Sequence, residues 1–273
     1  MPEPLHCSWA CLTHEGHVRE NNEDSMVMLA LEADGTLELE AKGTMEIPER
    51  GCIAVVADGM GGVRGGELAS QYVREGILEM AGSKICPSPK EPDLQKIINE
   101  INLRILRIAE EDPSLEGMGT TLTLAWLCGR ELTFANVGDS RLYKFRSNTL
   151  EQLSHDQSPV GRLLREKRIT VEESRTHPHR NVIDQAVGTH SEGVNPETKT
   201  FTVENGDLYL LCSDGLNEEL WDHEIAQTFQ DGQRTKKPLL AMAEDLVAKA
   251  LLAEGKDNIT VILLQLHGLA SKT

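Results

Sequence analysis

The chain has 273 residues, of which 39% are hydrophobic, and a formal net charge of −17 at pH 7. This length fits one large domain or two small ones, and the apolar content is sufficient for a sizeable core. The negative charge excludes non-specific binding to nucleic acids or anionic membranes, which would repel the chain, and it favours a protein that collects divalent cations.

The cysteines are scattered and form no C-x-x-C pair, so the sequence offers neither a zinc site nor a disulfide framework. Several lie inside apolar runs, which predicts buried free thiols in a reducing, cytoplasmic compartment. The N-terminal segment has no basic region followed by an apolar one, so no signal peptide is predicted. No apolar run approaches the ~20 residues of a transmembrane helix, and no membrane partner is expected. The six cysteines are Cys7, Cys11, Cys52, Cys86, Cys128 and Cys212.

Short runs rich in apolar or β-branched residues, bounded by turn residues, predict a series of strands. In chain order these runs are residues 7–13, 25–32, 36–40, 52–57, 120–127, 131–137, 141–145, 198–203, 208–212 and 259–266. Asp34 and Gly35 lie between the second and third runs, which predicts a β-hairpin there.

Three longer segments place apolar residues at helical spacing and predict amphipathic helices over residues 66–81, 93–111 and 238–253. The proline-rich stretch 83–93 predicts a loop between the first two helices. Strand runs and helix runs are grouped instead of strictly alternating. This grouping favours an α+β fold with antiparallel sheets, and we expect one domain over residues 1–273.

The stretch 155–190 differs from the rest because it is polar, rich in Arg and His, and only weakly periodic. We interpret it as a helical insertion packed on the surface of the domain. We call residues 155–190 the flap.

Four aspartates share one context, since each lies at an end of a strong strand candidate. They are Asp58, Asp139, Asp214 and Asp257. Strand ends of packed sheets can converge on one cleft, where carboxylates repel each other unless cations neutralise them. The hard cations Mn²⁺ or Mg²⁺ prefer such oxygen ligands, and the backbone at Gly59 could approach closely enough to lend its carbonyl. The alternative is four unrelated solvent-facing turns, because Asp-Gly often marks a turn.

A second group of charged residues, Arg19, Glu23 and Asp24, precedes the second predicted strand. Arginine suits bidentate recognition of phosphate. Glu23 and Asp24 are suited to hold metal-bound waters. The alternative interpretation is a charged loop with internal ion pairs.

Other motif interpretations fail on individual residues. Arg64 stands where the dinucleotide fingerprint requires its third glycine, and Glu67 stands where a P-loop requires lysine. Ser213 lacks the G-x-S-x-G context of a hydrolase nucleophile. The nine histidines form no H-E-x-x-H zinc motif.

Six segments occur along the chain in a recognisable order: VRENNEDS, VVADGMGG, GTTLT, ANVGDSRLY, LCSDGL and GKDNITVILL. Together they resemble the metal-dependent Ser/Thr protein phosphatases (the PPM family, type 2C) in their compact bacterial single-domain form. The resemblance covers residues 16–264. It implies a four-layer α-β-β-α sandwich, in which two antiparallel sheets are flanked by helices and a metal cleft lies at one end.

The resemblance also implies hydrolysis of phosphoserine and phosphothreonine in proteins with Mn²⁺ or Mg²⁺. By this resemblance Asp58 bridges two metal ions, and the Gly59 carbonyl binds one of them. Asp214 and Asp257 complete the other core site. Asp139 joins Asp214 at a third, weaker site.

By the same resemblance Arg19 binds the phosphate. Glu23 and Asp24 lie in the outer coordination shell of the metal ions and act through waters. The flap is expected beside the cleft, where it would influence substrate preference. A bridging water activated by two metals would attack phosphorus in line, without a covalent intermediate. Met60 stands where many eukaryotic relatives carry a histidine that is a candidate general acid, so the leaving-group proton is expected from elsewhere.

Phosphorylated proteins are the expected partners, as targets of a Ser/Thr kinase or as the kinase itself, and a cytoplasmic monomer is expected. Two alternatives keep the same fold: an inert member that binds a partner, and a phosphatase that acts on a small anti-sigma-antagonist protein. A third alternative is an acidic cation-binding scaffold unrelated to phosphate. That scaffold would give Arg19 no role.

Overall fold

A computed structural model describes residues 5–82 and 93–268, without the side chains of residues 62, 63 and 82. The strands are β1 (Leu5–His14), β2 (Asp24–Glu32), β3 (Gly35–Glu38), β4 (Lys42–Glu46), β5 (Cys52–Met60), β6 (Gly119–Thr120), β7 (Leu122–Cys128), β8 (Glu131–Val137), β9 (Arg141–Arg146), β10 (Thr149–Gln152), β11 (Glu197–Thr202), β12 (Leu208–Cys212) and β13 (Ile259–Gly268). The helices are α1 (Gly62–Gly82), α2 (Leu94–Glu111), α3 (Pro159–Arg165), α4 (Val171–Arg175), α5 (Asp214–Asn217), α6 (Asp222–Thr235) and α7 (Leu239–Ala253), with a 3-10 turn at Pro113–Leu115.

The strands form two sheets in which every pairing is antiparallel. One sheet has the order β10-β9-β12-β13-β1-β4. The other has the order β11-β8-β7-β5-β2-β3, with β6 paired to β5. This topology confirms the α+β prediction, and it includes the predicted β2–β3 hairpin.

Three layers of apolar side chains hold the sheets and helices together. Between the sheets, Phe134 of one packs in the same cluster as Leu211 of the other. Helices α1 and α2 cover one outer face through residues such as Ile98, and α6 and α7 cover the other through residues such as Phe229. The molecule is therefore the four-layer α-β-β-α sandwich that the resemblance implied.

Several predicted elements need correction. The predicted strand 120–127 is wrong at its start, because the chain forms β6, breaks at Thr121 and resumes as β7. The break has a physical reason: the Thr121 amide donates to the Asp58 carbonyl at 2.8 Å, and its hydroxyl accepts from the Asp58 amide at 2.9 Å. Strands β4 and β10 and helices α5 and α6 were not predicted at all.

The flap contains two short helices, α3 and α4, so the helical prediction for this stretch holds only in part. Ser158 caps the first through a hydrogen bond from the Gly161 amide, and Thr170 caps the second in a capping box with Glu173. The flap is tied to the sandwich by a backbone pairing between Thr120 and Val187.

Cys7, Cys11, Cys52 and Cys212 are buried free thiols, and Cys128 is partly buried. Cys86 and most of the predicted proline-rich loop, residues 83–92, lie outside the described residues. Within the described residues, no helix combines the length and apolar character needed to cross a membrane.

The packing between the sheets predicts the effect of truncating Leu211, which is fully buried. We expect Leu211→Ala to lower the free energy of unfolding by about 2–5 kcal/mol, because it leaves a cavity between two rigid sheets. Leu252→Ala is the matched control, since Leu252 is 86% exposed on α7, and we expect a change below about 0.5 kcal/mol. Urea unfolding followed by circular dichroism measures both variants, and equal losses would contradict this account of the core.

Candidate active site

A cleft of about 570 Å³ opens where strand ends of both sheets meet. Seven of the eight site residues predicted from the sequence line it: Arg19, Glu23, Asp58, Gly59, Asp139, Asp214 and Asp257. They come from separate parts of the chain, because β5 and β8 belong to one sheet while β12 and β13 belong to the other. The sandwich therefore brings together residues that are far apart in sequence.

Asp58 lies near the end of β5, and its backbone is fixed on both sides. Its carbonyl accepts from the Thr121 amide and from the Thr120 hydroxyl, each at 2.8 Å. On the other edge of β5, Asp58 stands in register with Asp24 of β2. The backbone of Asp58 is thus held by neighbours on both strands, while its carboxylate faces the cleft.

The eighth predicted residue, Asp24, lies behind the wall of the cleft and does not line it. The Ser213 hydroxyl donates to Asp24 Oδ2 at 2.7 Å, while the buried Oδ1 has no hydrogen-bond partner in the described structure. Burial raises the pKa of Asp24 to about 6, although the hydrogen bonds lower it in part. A buried carboxylate oxygen without a partner costs free energy until a proton or cation approaches it.

The carboxylates of the cleft repel one another. Burial raises the pKa of Asp139 to about 7. Burial, and secondarily the neighbouring carboxylates, raises the pKa of both Asp58 and Asp214 well above the usual range for aspartate. Among the described residues that line the cleft, Arg19 is the one with a cationic side chain. The cleft therefore holds a surplus of negative charge that protons or cations must neutralise.

The negatively charged groups that line the cleft are carboxylates. Their oxygens are the ligands that hard divalent cations prefer, so the cleft fits such cations. Within residues 5–82 and 93–268, no group of three or more His, Cys, Asp or Glu side chains is arranged to hold a metal ion by itself. Magnesium-like ions normally keep several waters and take only one or two carboxylates each. The site is therefore suited to cations that remain partly hydrated, not to a closed protein cage.

Gly59 occupies a position that admits no side chain. A Cβ atom there would lie 2.1 Å from the Gly66 carbonyl oxygen and 2.6 Å from the Glu23 carbonyl oxygen. The Gly59 amide donates to that same Glu23 carbonyl at 3.2 Å. The glycine after Asp58 thus lets the segment carrying Glu23 and the start of α1 close directly against β5.

Arg19 lies at the mouth of the cleft and hydrogen-bonds Asp257 Oδ2 through Nη2 at 2.6 Å. This contact raises the pKa of Arg19. The Arg19 side chain is 51% exposed, so its other donors can meet a ligand that enters from solvent. A pair this exposed contributes little to stability, and its value lies in orienting the guanidinium.

Asn258, which the sequence analysis did not single out, ties the segment before β2 to the start of β13. Its Oδ1 accepts from the Glu23 amide at 2.8 Å, and its Nδ2 donates to the carbonyls of Glu15 and Asn21 at 2.9 Å. These bonds fix the loop that carries Arg19 next to Asp257. The signal was available, since Asn258 follows Asp257 in the segment GKDNITVILL.

Other residues that line the cleft also had no predicted role. They are Glu20, Asn21, Gly61, Thr121, Asn181, Ile183 and Glu218, and Met60, which the sequence analysis noted, lines the cleft with them. Thr121 lies in GTTLT, a segment noted for the resemblance, but its bonds to Asp58 could not be read from sequence. Asn181 and Ile183 belong to the flap, so the flap forms part of the cleft wall.

The chain is similar to known protein phosphatases in sequence and in structure. A sequence profile described as Protein phosphatase 2C matches residues 40–253. The serine/threonine phosphatase stp of Listeria welshimeri is 35% identical over 257 residues, which cover 93% of this chain and 93% of that protein. The chain is thus similar to a named phosphatase along nearly its whole length.

Solved structures show the same fold. The S. agalactiae serine/threonine phosphatase aligns with a TM-score of 0.80 and 29% identity, over 95% of this chain and 99% of that one. The catalytic domain of the serine/threonine protein phosphatase PstP, solved in complex with 2 manganese ions, aligns with a TM-score of 0.74 and 32% identity. That alignment covers 96% of this chain and 99% of the other.

The raised pKa values predict how pH and cations act together on stability. A carboxyl whose pKa is higher in the folded state binds more protons when the protein is folded. Its contribution to folding stability is therefore lost as pH rises through the folded-state pKa. That pKa is about 6 for Asp24 and about 7 for Asp139. Cations can replace those protons. For protein stripped with EDTA, we therefore expect added Mn²⁺ to raise the melting temperature more at about pH 8 than at about pH 5.

Asp139→Asn provides the matched control, because an amide cannot titrate and the variant should lose part of this pH dependence. Differential scanning fluorimetry measures the shifts. Equal Mn²⁺-induced shifts at both pH values would contradict the proposed electrostatics.

Proposed function

The chain belongs to the protein phosphatase 2C family and is a serine/threonine protein phosphatase, and we propose that it hydrolyses its substrates directly with water at the cleft described above. One observation carries the proposal: four aspartates from strand ends of both sheets line one cleft together with Arg19. Carboxylates that gather cations and an arginine that binds phosphate are the parts that metal-assisted phosphate hydrolysis needs.

In this proposal Asp58, the Gly59 carbonyl, Asp214 and Asp257 would hold two divalent cations, Mn²⁺ or Mg²⁺. Asp139 with Asp214 would hold a third, weaker cation. When bound, such cations lower the pKa of water and offset charge on phosphoryl oxygens. The relative solved with two manganese ions supports Mn²⁺ as the first cation to test.

The chain's own residues supply positioning. Arg19, oriented by Asp257, would bind the phosphoryl oxygens, where its charge stabilises the transition state. Asp24 and Glu23 would act from behind and beside Asp58 through water. Met60 lines the cleft, but a thioether cannot donate a proton, so the leaving-group oxygen must receive its proton from water or another side chain.

The substrates would be phosphorylated proteins, either targets of a Ser/Thr kinase or the kinase itself. We propose that residues 1–273 act as one catalytic domain, as a monomer and in the cytoplasm. The flap contributes Asn181 and Ile183 to the cleft wall, which supports a role for it in substrate preference. The alternative of an inert member is disfavoured, because each proposed carboxylate ligand is present at the cleft.

Two substitutions separate this function from a scaffold that only binds cations. We expect Asp58→Asn to abolish Mn²⁺-dependent hydrolysis of p-nitrophenyl phosphate. We expect Arg19→Ala to lower kcat/KM by about 100-fold, the usual cost of removing one group that stabilises transition-state charge. Steady-state kinetics at saturating Mn²⁺ measures both.

The matched controls come from an exposed ion pair on α6, Arg234 with Asp231, whose atoms lie 2.7 Å apart. Arg234→Ala and Asp231→Asn should keep wild-type turnover. Wild-type turnover in Asp58→Asn would contradict the assignment of the site. Wild-type turnover in Arg19→Ala would favour the cation-binding scaffold instead.

A further inference from the structure

Arg175, the last residue of α4 in the flap, reaches across to the segment that follows Asp214. Its Nη1 donates to the carbonyl of Glu218 at 2.7 Å. Its Nη2 donates to the carbonyls of Asn217 at 2.8 Å and Leu220 at 2.6 Å. The guanidinium carbon also lies 4.0 Å from the centroid of the Trp221 ring, a close cation–π contact.

The three carbonyls need such a partner because α5 is only four residues long. Its backbone is closed by few bonds, including Glu218 N to Asp214 O at 2.8 Å and Leu220 N to Leu216 O at 2.9 Å. Helix ends leave carbonyls without intrahelical partners, and a cation near the C-terminal end is favourable. The rigid fork of Arg175 satisfies three carbonyls at once, which the point charge of lysine cannot do equally well.

Helix α5 is directly connected to the cleft. It begins with Asp214, and Glu218 follows its last residue; both line the cleft. A Cβ atom on Gly215 would lie 2.1 Å from the Asn258 carbonyl oxygen, so α5 packs closely against the residue that follows Asp257. A shift of α5 would therefore move Asp214 relative to Asp257.

We propose that Arg175 is a positioning residue for the divalent-cation site: by holding the C-terminal end of α5, it fixes Asp214 in the cleft and links cation affinity to the docking of the flap. The inference rests on the proposed function, because it takes Asp214 as a cation ligand. Linkage then works in both directions, so that bound cation also stabilises the docked flap.

The test is calorimetric titration of Mn²⁺ into the full chain stripped with EDTA. We expect Arg175→Ala to weaken Mn²⁺ binding by about tenfold, the low end of the range for groups that orient metal ligands. Arg175→Lys keeps the charge without the fork and should give an intermediate loss. Arg168→Ala is the matched control, because Arg168 is 67% exposed and pairs with Glu166 inside the flap. The Mn²⁺ affinity of this variant should equal that of the wild type.

Tryptophan fluorescence shows whether the contact between residue 175 and the Trp221 segment is lost while the protein stays folded. Trp9 and Trp126 are 6% and 2% exposed, so quenching by iodide reports mainly on Trp221. We expect stronger quenching in Arg175→Ala than in the wild type or Arg168→Ala, with an unchanged circular dichroism spectrum. If the alanine variant fails to fold, the comparison of Arg175→Lys with the wild type decides the question.

The outcomes separate this inference from the proposed function. A wild-type chain that binds no Mn²⁺ would overturn the proposed cation site, and this inference with it. If the wild type and the folded variants Arg175→Ala and Arg175→Lys all bind Mn²⁺ with equal affinity, this inference is overturned and the proposed function is not. In that case Arg175 would only stabilise the fold.

Discussion

Mutual repulsion among the carboxylates of the cleft is the constraint on which the rest of the site depends. Two like charges 4 Å apart repel by about 4 kcal/mol at the effective dielectric constant of a protein surface. A domain is stable by only about 5–15 kcal/mol, so a few such pairs would consume most of that stability. Burial raises the pKa values of Asp58, Asp139 and Asp214, and nearby carboxylates raise them further. In the proposed function, cations neutralise the cluster while the scaffold holds its members in place.

The scaffold holds the carboxylates close together by fixing the backbone of the residues that carry them. The carboxylate groups themselves face the cleft. Thr121 and β2 hold Asp58 from both sides, and Asn258 holds the loop of Arg19 against the start of β13. Beneath them, three apolar layers resist movement of the strand ends. The short helix α5 has only four residues, and Arg175 of the flap donates to three carbonyls at and beyond its C-terminal end.

The sequence predicted the long, strongly patterned elements and the aspartates beside them, because apolar periodicity and strand-end position are local signals. It did not predict α6, because that segment carries few apolar residues. Its large buried apolar side chains are those of Ile225 and Phe229. It also missed the edge strands β4 and β10, whose short alternation is decided by pairing with β1 and β9. The bonds of Thr121, Asn258 and Arg175 join residues distant in sequence, so only the fold reveals them.

In the proposed function, the aspartates of both sheets gather divalent cations at one place. Anomalous diffraction from crystals grown with Mn²⁺, recorded near the manganese edge, tests it most directly. We expect manganese peaks inside the cleft, in contact with the carboxylates of Asp58 and Asp214 and beside the Gly59 carbonyl. Peaks confined to other carboxylates on the surface, with none at Asp58, would contradict it.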